Sequence, residues 1–541
     1  MKRTYIGNLV DPLRKMIFHG EIIVNEGRIE KISKIEGSGS GFIMPGFVDA
    51  HVHVESSMST PLAFSAEAIK HGTIAAVADP HEIANVLGSD GVKYMLASAA
   101  YTPFKFLFGV PSCVPATSFE TSGASLDSSE VERLLELEKV GFLAEVMNYP
   151  GVINGDADLL KKISLARGKD YPVDGHAPGL RGKDLEAYAS KGITTDHECF
   201  EIGEAREKIR NGMNILIREG SGAKNFKALV PLLNEAPEHV MFCTDDSHPD
   251  DLLLGHINIL VKRAVQEGYE LFDVLRAASV NPVRHYNLNV GLLQVGDPAD
   301  FIIVKDLESF HVLETVINGE PVYLNKESLI PPQMEDLPNI FISDKIQPAQ
   351  LEIQARSSTI NLINIIDGEL ITRRTQAPVF PVNGMVLSDP DRDLLKLAVI
   401  NRYKTSPPAL AFIHGLGLKK GAIATSVAHD SHNIIAAGVN DKDLLLAINW
   451  IIDNRGGMVV VEEGNAEGLA LPVAGIMSNR PLSETAARYK YLSGKIKAMG
   501  SELKAPFMTL SFMALLVIPE IKLSDKGLFD GNSFSFIPLF V

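Results

Sequence analysis

The sequence has little cysteine, a deficit of positive charge and no long apolar run. Only three cysteines occur among 541 residues, and none lies in a Cys-x-x-Cys pair. This excludes a disulfide framework and a thiolate zinc site. Lysine and arginine number 51 against 67 aspartates and glutamates, so the formal net charge is −16. Because nucleic acids and anionic membranes bind clustered positive charge, neither is expected as a partner.

The hydrophobic segments are also too short for a membrane protein. The longest apolar run covers residues 507–519, whereas a membrane-spanning helix needs about 20 apolar residues. The N-terminal sequence MKRTYIGNLVDPL lacks the apolar core of a signal peptide. With 45% apolar and 22% charged residues, the chain has the composition of a folded protein. We therefore expect a soluble, cytoplasmic globular protein.

Short apolar runs alternate with segments of helical pattern between residues 42 and 288. The candidate strands are FIMPGFVDAHV (42–52), TIAAVAD (73–79), FKFLFGV (104–110), GFLAEVM (141–147), YPVDGHA (171–177), GITTDHE (192–198), MNILIRE (213–219) and HVMFCTD (239–245). Eight strand–helix units in about 245 residues match a (β/α)8 barrel of the TIM type. A doubly wound open sheet is the alternative fold, although it usually needs fewer strands.

The regions on either side of the predicted barrel indicate two further domains. Short β-type runs separated by turn residues occupy residues 1–41 and occur again in 289–335. Both stretches are therefore expected to form one small β domain. Proline and charge near 326–350 predict a linker. The C-terminal part, 345–541, mixes β-like runs with helical patterns such as DRDLLKLAVINRYK (391–404) and predicts an α/β domain. The predicted fold class is therefore α/β throughout.

Metal-ligand side chains recur at the carboxyl ends of the predicted strands. The first strand ends in Asp49-Ala50-His51-Val52-His53, and alternate side chains of a strand share a face, so both imidazoles can address one cation. Further ligand-type side chains stand at strands four, five, six and eight: Glu145, His176, His197 and Asp245. Catalytic groups of TIM-type barrels come from these strand ends. Singly, each is typical of a polar group at a strand–loop junction; jointly, they predict a metal site.

The chain resembles the amidohydrolase superfamily of metal-dependent hydrolases through PGFVDAHVHVESSM (45–58), the spaced histidines and the aspartate after strand eight. It is further similar to the adenine deaminase family through ADPHEIANVLG (78–88), LAEVMNYPGV (143–152), DGHAPGL (174–180), TTDHEC (194–199), CTDDSHPDDLL (243–253), SVAHDSHNIIAAGVND (426–441) and RGGMVVVEEG (455–464). The resemblance implies hydrolytic deamination of adenine to hypoxanthine and ammonia, in purine salvage. The alternative is another amidohydrolase, which acts on a cyclic amide or a different aminopurine or aminopyrimidine.

The resemblance also implies a binuclear divalent metal centre. His51 and His53 would bind the buried metal, and His176 and His197 the more exposed one. Glu145 would stand at the bridging position that a carboxylated lysine occupies in many superfamily members. Imidazole and carboxylate ligands without thiolate suit Mn²⁺ or Fe²⁺ as well as Zn²⁺. The resemblance favours Mn²⁺ or Fe²⁺, with Zn²⁺ as the alternative.

Catalytic roles follow from the same resemblance. Asp245 would be a metal ligand and the general base, taking a proton from the attacking water and returning it to the leaving nitrogen. Glu198 is a candidate for the proton on ring N1, with a solvent-facing carboxylate as the alternative interpretation. Weaker candidates for contacts with the purine or for ligand orientation are Asp79, His81 and Glu82, for which loop capping is an equal alternative. Asp246 is a weaker candidate for support that orients a ligand, and its alternative is a helix N-cap before PDDLLLGHINIL (249–260).

Two further expectations concern a polar cluster in the C-terminal domain and the binding partners of the chain. His429, Asp430 and His432 lie close together in the C-terminal domain. They could form a lid or hold another metal, but hydrogen bonding within a loop is the favoured interpretation. The expected partners are a small-molecule substrate (adenine with water) and a second copy of the chain in a homodimer, with neither nucleic acid nor membrane.

Overall fold

The computed structural model describes residues 2–37, 39 and 41–541. Internal packing divides the chain into two compact units. The first contains residues up to Pro80, 92–113 and 126–334, and the second contains 81–91, 114–125 and 335–541. Two short segments of the predicted barrel thus pack into the second unit. The predicted boundaries of three domains stay a prediction.

Eight parallel strands of the first unit correspond to the eight predicted strand–helix units. Five form one sheet in chain order: β1 (Phe47–Val52), β2 (Thr73–Ala78), β3 (Lys105–Val110), β4 (Val140–Val146) and β5 (Val173–Gly175). Three form a second parallel sheet: β6 (Thr195–Asp196), β7 (Asn214–Arg218) and β8 (Val240–Cys243). Strand β2, TIAAVA, is buried along its whole length, as expected for a parallel strand covered on both faces.

The two parallel sheets are linked at both edges. The amide of Thr194 donates to the carbonyl of Val173 at 2.8 Å, between β6 and β5. At the other edge Val52 of β1 forms a parallel bridge with Asp245, which follows β8. The result is a curled, TIM-barrel-like parallel sheet. The sequence prediction is confirmed at this level.

Helices follow these strands along the chain. Their bounds are Pro61–Ala68, His81–Leu87, Ser89–Ala99, Ser128–Leu134, Tyr149–Asn154, Ala157–Arg167, Gly182–Ala189, Ile202–Arg210, Phe226–Leu229, Leu232–Glu235, Pro249–Leu252, Ile257–Gln266, Leu271–Leu275 and Asn281–His285. Side chains of Thr60, Asp127 and Asp156 accept backbone N–H groups where three of them begin, which is ordinary N-capping chemistry. Across the described part of the chain, no helix has the length and apolar character needed to cross a membrane.

Strands from both sides of the parallel region form one eight-stranded sheet. Its order is Glu327–Ser328, Glu320–Leu324, Val312–Ile317, Phe301–Val304, Phe42–Pro45, Arg3–Asp11, Met16–Asn25 and Arg28–Lys34. The pairing of Arg3–Asp11 with Phe42–Pro45 is parallel, and the other neighbours are antiparallel. Leu9, Ile22 and Phe301 belong to the apolar core of this sheet.

The prediction of a single strand over residues 42–52 is wrong. The predicted strand is interrupted at Gly46, and its two halves, Phe42–Pro45 and Phe47–Val52, belong to different sheets. A Cβ at Gly46 would lie 2.5 Å from Cδ1 of Ile74, so only glycine allows the close approach at this transition. The apolar run continues across the break because both halves are buried.

The second unit is built around another eight-stranded sheet. Its order is Thr372–Pro378, Thr359–Ile365, Ala409–His414, Leu395–Ile400, Ile434–Gly438, Ala422–Thr425, Gly457–Glu462 and Asn465–Ala470. A three-stranded sheet and several helices complete the unit: strands Ile521–Ser524, Gly527–Asp530 and Ser535–Phe536, and helices Asp441–Asp453, Leu482–Ala498, Pro506–Ser511 and His81–Leu87. Leu444, Ile448 and Ile451 of the first helix share a core cluster with the eight-stranded sheet.

The helical pattern over DRDLLKLAVINRYK is misleading. Residues Leu395–Ile400 form a strand with hydrogen-bonded neighbours on both sides, and all six are buried. A strand buried on both faces reads as a continuous apolar run, which periodicity does not separate from a buried helix. The one charged residue of this strand, Lys396, donates to the carbonyl of Leu351 at 2.7 Å and to Asp441 at 2.6 Å.

Lys522 is a buried amine that makes stability depend on pH. Its Nζ donates to the carbonyls of Leu370 at 2.6 Å and Phe512 at 2.9 Å. Burial lowers its pKa from 10.5 to about 7. Between that value and the unfolded pKa of about 10.4, the unfolded chain binds more protons than the folded one. The free energy of unfolding should therefore rise with pH, by at most about 1.4 kcal/mol per pH unit from this group.

The variant Lys522→Met is expected to remove this pH dependence. Its stability relative to the unchanged chain should be most favourable near pH 7 and should decline steadily towards pH 9. Urea unfolding of both chains at several pH values measures the difference. The exposed Lys490→Met is the matched control and should give a difference that does not vary with pH. A constant difference for Lys522→Met as well would contradict a neutral buried amine.

Candidate metal centre

Four imidazoles and two carboxylates converge at the carboxyl ends of the parallel strands. The residues lie in or directly after β1, β4, β5, β6 and β8, and they are His51, His53, Glu145, His176, His197 and Asp245. Five of them are buried, whereas the side chain of His176 is 20% exposed. The structure thus brings together all six residues that the sequence singled out as metal ligands.

His51, His53 and Asp245 form the buried part of the cluster. The Nε2 atoms of the two histidines lie 3.2 Å apart. Oδ1 of Asp245 lies 3.1 Å from Nε2 of His53 and 3.6 Å from Nε2 of His51. The backbone sets this arrangement, because the amide of Asp245 donates to the His51 carbonyl and the amide of His53 donates to the Asp245 carbonyl. The bridge between β1 and β8 therefore positions three ligand atoms.

Glu145 connects this buried part to the remaining two histidines. Its Oε1 lies 3.6 Å from Nε2 of His53. Its Oε2 lies 2.8 Å from Nδ1 of His176 and 3.2 Å from Nε2 of His197. The two carboxylate oxygens therefore face two different sets of imidazoles, which is the arrangement that a bridging ligand requires.

The electrostatics of the cluster favour ionised carboxylates. Burial raises the pKa of Glu145, but the imidazoles of His176 and His197 hold it well below the usual range. Burial also acts against ionisation of Asp245, yet the Arg218 guanidinium holds its pKa well below normal. Burial lowers the pKa of His176, but neighbouring carboxylates raise it to about 9. Negative charge is thus concentrated in a buried site, where a cation is stabilised.

The donor atoms fit divalent metal ions. Nδ1 of His53 lies 3.1 Å from the Asp79 carbonyl oxygen, so Nδ1–H donates there and the lone pair of Nε2 faces the cluster. The ligand atoms of His51, His53 and Asp245 lie within 4.8 Å of one another, as do those of the set His51, Glu145 and His197. Nitrogen and oxygen donors without thiolate suit Mn²⁺, Fe²⁺ or Zn²⁺.

Comparison with known proteins agrees with this arrangement. Residues 42–322 match the amidohydrolase family, and residues 369–535 match the adenine deaminase C-terminal domain. The chain is 53% identical over 531 residues to a protein of Sulfurovum sp. (strain NBC37-1) named adenine deaminase, with 98% of both chains covered. This chain belongs to the adenine deaminase family. The resemblance inferred from the sequence motifs is confirmed.

Further relatives of the same name match this family member over nearly its whole length. An adenine deaminase of Methanosarcina mazei is 49% identical over 551 residues, with 99% of both chains covered. One of Salinibacter ruber is 50% identical over 537 residues and covers 99% of this chain and 98% of its own length. The amidohydrolase match includes all six residues of the metal cluster.

Aspartates next to the cluster hold the strand ends of this adenine deaminase family member in place. Asp49 accepts a hydrogen bond from the Thr244 amide at 3.1 Å, which ties β1 to β8. Asp196 accepts from the amide of Ala177 at 2.9 Å and from that of Glu198 at 2.8 Å, which ties the loops after β5 and β6. Such contacts orient neighbouring ligands without touching a metal.

The four weaker candidates have different surroundings. Asp79 is buried directly after β2. Asp246 is half-buried and accepts a hydrogen bond from the Ser56 hydroxyl at 2.5 Å. His81 and Glu82 are buried and belong to the second unit. Contact of any of these four with a purine stays a prediction.

Within the second unit, Glu82 is the partner of two C-terminal histidines. One carboxylate oxygen contacts Nδ1 of His429 and the other contacts Nε2 of His432. The amide of Ala428 donates to Nδ1 of His432 at 3.3 Å, so in the neutral imidazole Nε2 carries the hydrogen and donates to Glu82. These contacts fit a hydrogen-bonded anchor of the loop, and the ligand atoms of Glu82, His429 and His432 are also close enough together to hold a metal ion. The role of this cluster stays a prediction.

Glu198 is buried, with 5% of its surface exposed, so the alternative of a solvent-facing carboxylate is wrong. Its Oε1 lies 3.5 Å from Nε2 of His197 and 3.8 Å from Nδ1 of His176. Burial raises its pKa, but the Arg218 guanidinium and the imidazoles hold the pKa below the usual range.

Arg218 also belongs to this site, although the sequence motifs did not indicate it. It ends β7, and its side chain is buried between two carboxylates. Nη1 donates to Oδ2 of Asp245 at 2.6 Å and also to Oε1 of Glu198. The sequence did contain one signal, which is that Arg218 ends an apolar strand. An arginine at such a position is buried only when its charge is paired with an acidic group.

Proposed function

We propose that this chain is a hydrolase that deaminates adenine to hypoxanthine and ammonia. The observation that carries the proposal is the convergence of four imidazoles and two carboxylates at the carboxyl ends of the parallel strands. Support for adenine as the substrate comes from relatives named adenine deaminase, which are about half identical over nearly the whole chain. Without them, a cyclic amide, another aminopurine or an aminopyrimidine would fit the same site.

The proposed ligands form a binuclear centre. His51, His53 and Asp245 would hold one metal and His176 and His197 the other, with Glu145 as the bridging ligand, which the distances of its two oxygens support. Mn²⁺ or Fe²⁺ is the proposed metal, with Zn²⁺ as the alternative. Bound divalent cations would supply hydroxide near neutral pH as the nucleophile.

The chain's own carboxylates would move the protons. Asp245 is the proposed general base: it takes a proton from the attacking water and delivers it to the exocyclic nitrogen, so that the C6–N bond breaks and ammonia leaves. Glu198 is proposed to give a proton to ring N1, which makes C6 more electrophilic, and to take a proton back from the hydroxyl group on C6 as the C6=O bond of hypoxanthine forms. Both carboxylates contact Arg218, so they lie on the same side of the site.

We also propose that β1 to β8 close into a (β/α)8 barrel, which the contacts at both edges of the two parallel sheets support. Residues 1–41 and 289–335 would form a small β domain, and 345–541 the C-terminal α/β domain. The cytoplasmic location and the homodimer stay predictions.

A substrate panel tests the proposed function. Metal-loaded protein is incubated with adenine, adenosine, cytosine or guanine, and released ammonia is measured; hydrolysis of dihydroorotate is followed in parallel. We expect turnover of adenine, with hypoxanthine as the second product. Turnover of another compound while adenine stays inert would leave the metal-dependent hydrolase in place but contradict the substrate.

The variant Glu198→Gln is expected to lower kcat/KM for adenine by about 10²-fold, the scale of one lost proton transfer. Glutamine keeps the shape of the side chain but cannot carry the proton. Glu201→Gln, at an exposed position three residues further on, is the matched control and should leave the rate unchanged. If Glu198→Gln keeps most of the activity, Glu198 does not protonate N1.

A further inference from the structure

We infer that Arg218 is a positioning residue that holds Glu198 and Asp245 in one geometry towards the substrate. The inference rests on the proposed function, because it concerns the two carboxylates that would move protons there. Arg218 would touch neither substrate nor metal in this role. It would act through the two side chains to which it donates.

The topology of the sheet places the guanidinium between the two carboxylates. Arg218 ends β7, the middle strand of the three-stranded parallel sheet. Glu198 follows β6 on one side, and Asp245 follows β8 on the other. A side chain from the middle strand can therefore reach both neighbours at the same edge, and no local sequence pattern links the three positions.

The contacts occupy the oxygens that set the orientation of both groups. Nη1 donates to Oδ2 of Asp245 at 2.6 Å and to Oε1 of Glu198, and Nη2 lies 3.2 Å from Oε2 of Glu198. Oδ1 of Asp245 faces Nε2 of His53 at 3.1 Å. Each oxygen of Asp245 thus has its own partner, so rotation of the carboxylate would break one of two contacts. The planar fork of arginine suits such a two-carboxylate contact better than the point charge of lysine.

The backbone at Arg218 is tied to the loop that carries Glu198. Oδ1 of Asn225 accepts a hydrogen bond from the Arg218 amide at 2.7 Å. Nδ2 of Asn225 donates to the carbonyls of His197 at 3.0 Å and Cys199 at 3.1 Å, on either side of Glu198. Asn225 is buried. Guanidinium and carboxylate are therefore held together through main chain as well as side chain, as a positioning device requires.

Steady-state kinetics of metal-loaded variants test the inference. We expect Arg218→Met to lower kcat for adenine by about 10²-fold or more, because misplacing a reacting group by about 1 Å costs this much. KM should change much less. Arg218→Lys should recover part of the loss, since one ammonium can contact only part of what the fork contacts. Arg206→Met, which breaks an exposed pair with Glu235, is the control and should have no effect.

A double-variant cycle separates positioning from a structural role. If Arg218 acts partly through Glu198, Arg218→Met should lower kcat by a smaller factor in the Glu198→Gln background than in the unchanged chain, because residues that act as a unit are not additive. Losses that multiply would overturn the inference, as would unchanged kcat in Arg218→Met. If Arg218→Met does not fold or loses its metal, Arg218→Lys takes its place in the cycle.

Failure of the positioning role can be distinguished from failure of the proposed function. An unchanged chain that releases no ammonia from adenine contradicts the function. An active unchanged chain with an equally active Arg218→Met contradicts only the positioning role. Metal content and thermal unfolding are measured for every variant, so a general loss of structure is recognised as such.

Discussion

Asp245→Asn is expected to lower kcat/KM for adenine by about 10³-fold or more, because Asp245 is the proposed general base and also a proposed metal ligand. Oδ1 faces the Nε2 atoms of His51 and His53, and Oδ2 accepts from Arg218. Asparagine preserves the shape but carries no negative charge and cannot take a proton. Ammonia release at saturating and at limiting adenine, on protein loaded with metal, measures the loss.

Two further measurements make the Asp245 result specific. The metal content of Asp245→Asn shows how much of the effect arises from a lost ligand and how much from a lost base. Asp184→Asn, at an exposed position on helix Gly182–Ala189, is the matched control and should keep full activity. A variant Asp245→Asn that retains metal and activity within about tenfold would contradict the assignment of the general base.

Removal of divalent metal by a chelator is expected to abolish deamination, with a loss of about 10³-fold or more, because the nucleophile depends on the cations. Reloading should restore the rate in proportion to bound metal, up to the two equivalents per chain that the proposed bridging role of Glu145 predicts. Separate reloading with Mn²⁺, Fe²⁺ and Zn²⁺, followed by metal analysis and ammonia release, gives stoichiometry and preference together.

Ligand variants add a readout that does not depend on activity. His51→Asn and His176→Asn should each bind less metal than the unchanged chain, because they remove donors from opposite ends of the cluster. His311→Asn, at an exposed position just before the strand Val312–Ile317, should bind the normal amount of metal. Full activity of the metal-free protein would contradict a hydrolytic metal centre, and full activity with one equivalent would contradict a binuclear one.

Much of the site could be predicted because its imidazoles and carboxylates stand at the ends of strands that the sequence pattern also predicts. His51 and His53 share one face of a strand by simple alternation. Glu145, His176, His197 and Asp245 each follow or end a recognisable apolar run. Since the carboxyl ends of parallel strands meet at one edge, residues far apart in the chain could be assigned to one site before any distance was known.

Other features left no readable local signal. The strand Leu395–Ile400 has the apolar composition of a buried helix as well, and only its neighbours in the sheet decide between them. The break at Gly46 lies inside one continuous apolar run. The pairing of Glu82 with His429 and His432 joins positions almost 350 residues apart, which no periodicity can connect.

The sequence by itself determined which imidazoles and carboxylates stand at the strand ends, their order along the strands and, with the family motifs, the class of reaction. It could do so because strand alternation and strand ends are local properties of the chain. Only the tertiary structure decided which oxygen of Glu145 faces which imidazole, and that Arg218 joins Glu198 to Asp245. Those contacts depend on strand register and side-chain direction across neighbouring strands, which packing sets and local sequence does not encode.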